Sequence, residues 1–96
     1  MKTHSTQKAE ESRRQFIFER LNEKNIIEQA SKGYFSLILR HTYGVNKYFD
    51  IYNTEVNRII KEKELDRLGV KNTSVLSKGL IRISWDETLF FKLCER

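Results

Sequence analysis

Residues 33–40 read Gly33-Tyr34-Phe35-Ser36-Leu37-Ile38-Leu39-Arg40, and here the chain changes from helical to extended. Gly33 follows Ala30-Ser31-Lys32 at the end of a helical pattern, the place where a left-handed residue stops a helix and where glycine has no Cβ penalty. The aromatic and aliphatic run behind it predicts a strand over Tyr34 to Arg40. Strict alternation puts Phe35, Leu37 and Leu39 on one face and Tyr34, Ser36, Ile38 and Arg40 on the other.

Working outward toward the N-terminus, helical pattern begins near Glu10 and carries Phe16, Ile17, Phe18 and Leu21. Asn22 breaks it and caps a second helical piece, with Leu21 and Ile26 stapled across the cap. Ile26, Ile27 and Ala30 form the apolar face of that piece. Residues 1–14 are polar and charged and read as a flexible segment, leaving residues 15–96 as one domain.

Toward the C-terminus, a loop at His41-Thr42-Tyr43-Gly44 leads into Val45, Phe49, Tyr52, Val56 and Ile59/Ile60. Their helical spacing predicts one long helix or two abutting ones over Asn46 to Leu68, ended by Gly69. The competing reading makes Lys47 to Tyr52 a strand hairpinned onto the first, with Thr54 capping a shorter helix. Val70 to Leu76 is weakly strand-like, Ser77-Lys78-Gly79 signals a hairpin turn, and Leu80 to Trp85 is a clear strand. There Ile81, Ile83 and Trp85 share a face opposite Arg82 and Ser84. Asp86 caps a last helix whose stripe is Leu89, Phe90, Leu93 and Cys94. The result is an α+β domain in the order α-β-α-β-β-α, a small three-stranded sheet with helices on one face.

Composition narrows the function. An apolar fraction of 39% is too high for a disordered chain. One cysteine excludes an internal disulfide framework, and with His4 and His41 it cannot supply four zinc ligands; Cys94 reads as a half-buried side chain in a reducing, cytoplasmic protein. Met1 to Arg14 has no apolar core and is not a secretory signal. The longest mostly apolar stretch, Tyr34 to Leu39, is too short to span a bilayer, so no membrane partner is expected. No two glycines are close enough for a phosphate loop, and no nucleophile elbow or H-E-x-x-H occurs. Glu10-Glu11 and Asp86-Glu87 are sequence neighbours that diverge by about 100° on a helix, so neither is an acid/base dyad. The expectation is a binding protein without catalysis, cofactor or metal.

Tyr34, Arg40, His41, Tyr43, Lys47 and Arg82, with Tyr48 beside them, form the candidate binding surface. Aromatic faces can stack bases while Arg and Lys meet phosphate or an acidic partner. With helices on one side only, Arg40 and Arg82 would share an exposed sheet face with Tyr34, Ser36 and Ser84. Ile38 on that face would leave apolar area to be covered, which predicts a homodimer through a sheet face or the first helix. The net charge of +5 is spread along the chain and permits nucleic acid without requiring it.

Ala30-Ser31-Lys32-Gly33-Tyr34, Leu65-Asp66-Arg67-Leu68-Gly69-Val70 and Ile83-Ser84-Trp85 give the chain a layout that resembles small accessory proteins encoded by tailed bacteriophages. The resemblance implies a protein that acts by binding a host or phage macromolecular complex, and it assigns no residue a role. A protein partner is the leading expectation and nucleic acid the alternative, with a nucleotide-sequestering protein or minor enzyme as the second alternative.

Overall fold

The computed structural model describes residues 4–41 and 48–95. Among them the order is α1 (His4–Arg20), α2 (Glu23–Ser31), β1 (Ser36–His41), α3 (Phe49–Glu62), β2 (Lys71–Asn72), β3 (Leu80–Ser84) and α4 (Thr88–Cys94). The strands form one antiparallel sheet in the order β1-β3-β2, so the fold is α+β.

The helix boundaries follow local chemistry. α1 starts at His4, earlier than the expected Glu10. Lys8, Ala9, Glu10 and Glu11 are strong helix formers uninterrupted by glycine or proline, and propensity extends the helix where no apolar stripe does. Asn22 ends α1 and caps α2, its Oδ1 accepting the Asn25 N–H at 2.8 Å. Leu21 and Ile26 are fully buried on either side of that cap. Gly33 then takes a φ of +90°.

Phe49 to Tyr52 belong to α3, so these residues do not form the alternative strand; Lys47 lies outside the described residues. α3 stops at Glu62, six residues short of the expected Leu68, and Glu64 adopts the left-handed region at φ 58°. A 3-10 turn over Leu65–Leu68 follows and buries both leucines. The Lys63 ammonium donates to the carbonyls of Phe18 and Leu21 at 2.6 and 2.7 Å, capping the C-terminal end of α1. Burial holds its pKa below the usual lysine value.

β2 is only two residues long, and Asn72 explains why. Its amide donates to Oδ1 of Asn53 and Asn57 on α3 at 2.6 and 2.9 Å, while its own Oδ1 accepts the Ser74 N–H at 3.0 Å. That Asx turn takes the chain out of the regular ladder. A bridge between Val75 and Leu80 closes the hairpin.

The helices and the strand residues Leu39, Ile81 and Ile83 bury one continuous core that also takes in Trp85 and Leu89. All of it lies on one side of the sheet. α4 differs from expectation on one side: Leu89 is buried and Leu93 packs on the core, while Phe90 and Cys94 are exposed. On a seven-residue helix the i,i+4 pair makes a single line of contact, and residues one further along point about 100° away from it.

Candidate binding surface

The pairing of the strands fixes which side chains face away from the helices. Trp85 donates its backbone N–H to the Phe35 carbonyl at 3.0 Å, and Thr73 donates its own to the Arg82 carbonyl at 2.9 Å. The central strand β3 therefore bonds β1 through its odd residues and β2 through its even ones. Ser36 faces Ser84, Leu37 faces Ile83 and Ile38 faces Arg82. Lys71 stands beside Ser84, with Asn72 beside Ile83. Leu37, Asn72 and Ile83 turn to the helices, so Ser36, Ile38, Lys71, Arg82 and Ser84 turn to the open side.

A β-bulge interrupts this alternation. The register jumps between Ile38 and Arg40, with Arg40 opposite Ile81 and Leu39 as the extra residue. Leu39 is fully buried, and Arg40 faces the same side as the buried Ile81. Its guanidinium lies 4.8 Å from the centre of the Tyr52 ring and donates to the Tyr52 hydroxyl at 2.5 Å. Arg40 thus packs against α3 and does not share a face with Arg82. Strict alternation placed it wrongly because one inserted residue shifts everything after it.

The predicted residues are accordingly divided. Arg82 is on the open face, where its Nε donates to the Thr73 hydroxyl at 3.0 Å and its Nη2 to the Thr73 carbonyl at 3.2 Å. The Thr73 hydroxyl also meets the Ser84 hydroxyl at 2.5 Å, so the arginine is held across the face by a short polar network. Tyr34 is 59% exposed just before β1, and His41 is exposed at its far end, opposite Leu80. Tyr43 and Lys47 lie outside the described residues. Sequence reasoning missed Lys71 and Thr73, because a two-residue strand leaves no period-2 pattern to read.

The charges carried by the three strands themselves have one sign. β1, β2 and β3 contain no acidic residue, and Arg82 makes no ion pair among the described residues. Lys71 is exposed and lies near enough to Asp86, beyond the end of β3, to favour its carboxylate. The larger influence on Asp86 is the Thr88 hydroxyl, which donates to it at 2.5 Å and holds its pKa below the usual carboxylate value.

Most described aromatic–cation pairs are internal. Arg13 sits 4.7 Å over the Tyr48 ring, Arg20 4.7 Å over Phe16, and Lys63 3.9 Å over Phe18. With Arg40 on Tyr52, these cations occupy ring faces that a nucleobase would need. A basin of about 550 Å³ between α2, the end of α3 and α4 is lined by Glu23, Lys63, Glu64, Arg67, Lys92 and Glu95. Its Arg67–Glu64 pair at 3.3 Å and Lys92–Glu95 pair at 4.0 Å are exposed i,i+3 ion pairs. No cluster of three His, Cys, Asp or Glu that could hold a metal occurs among the described residues, and no helix among them is long and apolar enough to cross a membrane. No protein-family model, curated protein or solved structure matches the chain.

Proposed function

We propose that this chain is a non-catalytic binding module whose contact surface is the open face of its sheet, with Lys71, Arg82 and Ile38 at the centre. The observation that carries the reading is the one-sided layering. The clustered core of the described residues lies on one side of the sheet, and the other side keeps two cations and an isoleucine 51% exposed. The partner that fits is a protein surface with carboxylates around an apolar contact. Thr73 holds Arg82 in place before binding, which lowers the ordering cost of the contact. The sequence layout, which resembles that of phage accessory proteins, supports a module that acts on a host or phage complex in the host cytoplasm. The open face itself, with Ser36, Ile38, Lys71, Arg82 and Ser84, carries no aromatic ring on which a base could stack, which favours protein over single-stranded nucleic acid.

Affinity capture from a host-cell lysate tests this. The wild-type chain should retain a nuclease-resistant protein partner, and a Lys71→Glu/Arg82→Glu double variant that stays folded should lose it. Equal capture by both proteins, or loss of the partner on nuclease treatment, would overturn the reading.

A further inference from the structure

The outer edge of β1 carries a second surface. Because β3 bonds β1 through Phe35 and Leu37, the backbone N–H and C=O groups of Ser36 and Ile38 point away from the sheet. No described residue bonds them. One step further along, the Arg20 guanidinium donates to the Leu39 carbonyl at 3.4 Å and, with the bulge, closes the edge there. The open edge is therefore Ser36 to Ile38.

An edge of this kind is ordinarily guarded by charge or proline. Here residues 33–39 are the longest run without a charged side chain in the whole chain. Tyr34, Phe35 and Ile38 on that run are 59%, 49% and 51% exposed, and Ile27 is exposed on α2, the helix packed beside β1. Exposed apolar area thus gathers where unpaired backbone does.

We propose that this edge pairs antiparallel with the same edge of a second copy, about a two-fold axis at Leu37, joining two three-stranded sheets into one of six strands. The register follows from the geometry. With Leu37 opposite its own copy, Ser36 of each chain meets Ile38 of the other, so every outward N–H and C=O in the open window finds a partner. A shift by one residue in either direction would set the edge against the Leu39 carbonyl that Arg20 already holds, or against Tyr34 outside the strand. Charge selects the occupant. Close to the axis of a two-fold contact a charged group lies near its own copy, so a chain of net charge +5 places its neutral stretch there most readily. The two open faces would then lie side by side in one continuous sheet. This pairing does not depend on what the open face binds, and either idea can fail alone.

Analytical ultracentrifugation across a range of concentrations decides the matter. The wild-type chain is expected to reach twice its 11.5 kDa mass. Ile38→Lys puts a cation near its own copy and should weaken self-association by about 100-fold. Ser36→Pro removes a donor with no acceptor in its own chain, so it should break the pairing without breaking an internal bond. In the wild-type dimer the Ser36 and Ile38 amides should exchange slowly with deuterium, and in Ile38→Lys they should exchange fast. A wild-type mass of 11.5 kDa at every concentration overturns the proposal, as does a dimer that survives in Ile38→Lys. If Ile38→Lys does not fold by circular dichroism, a Ser36→Pro protein that still dimerises overturns it instead.

Discussion

Replacing Arg40 by methionine keeps most of the aliphatic stem and removes the guanidinium from Tyr52. The wild-type contact has two parts, a 2.5 Å hydrogen bond to the phenol oxygen and a cation–π contact at 4.8 Å. Hydrogen bonds to charged groups contribute about 1.5–3 kcal/mol and cation–π contacts about 0.5–2 kcal/mol. Arg40 is half-buried, so solvent screens part of both, and the low ends sum to about 2 kcal/mol. In a domain of this length that loss lowers Tm by about 8–16 °C. Tyr52→Phe keeps the ring and loses only the hydroxyl, at a cost of about 1–1.5 kcal/mol. The double variant should cost less than the sum of the two single ones, with a coupling of about 1 kcal/mol. Urea and thermal unfolding can be followed through Trp85, the single tryptophan, which is 6% exposed. Partner binding should be unchanged in the folded single variants, because Arg40 faces α3. An Arg40→Met protein as stable as wild type but unable to bind would refute the placement of Arg40 by the bulge.

Two further perturbations test the turns that shape the sheet. Gly69 has a φ of +82°, and a Cβ there would stand 3.1 Å from the Thr88 hydroxyl, whereas Gly33 at +90° has open space around it. Gly69→Ala should therefore destabilise more than Gly33→Ala, which carries only the backbone cost of about 1 kcal/mol; equal losses in urea titrations would contradict this. Asp86 has a depressed folded-state pKa, so the unfolded chain binds its proton first as pH falls. Its contribution is then full above the unfolded value near 3.8 and is lost as pH drops through the lower folded one. Asp86→Ala should accordingly melt earlier than wild type at neutral pH, and the gap should close in strong acid. A gap constant with pH would mean that the carboxylate does not act through its Thr88 bonds.

The fold was legible wherever a single residue type dictates a backbone state. Asn22 as a cap, Gly33 as a stop and the alternation of Leu80 to Trp85 each have one dominant cause, and the sheet with helices on one side follows from them. The contact surface was legible only in part. Arg82 could be placed because β3 is regular. Arg40 could not, because nothing in Leu37-Ile38-Leu39-Arg40 distinguishes a regular strand from a bulged one. The bulge shows itself only at Arg40, which turns to the buried side after Leu39 and meets Tyr52 on α3. Lys71 and Thr73 were hidden for a different reason: β2 is held by the Asn72 side-chain bonds to Asn53 and Asn57 and carries no pattern of its own.

The most direct test of the open face as the contact surface is site-specific photo-crosslinking in host-cell lysate. One probe replaces Lys71 on the open face, and a control probe replaces Lys61, exposed on α3 among the helices. Position 71 is expected to give a discrete, nuclease-resistant protein adduct and position 61 none. An adduct formed equally from position 61, or only from position 61, would contradict this.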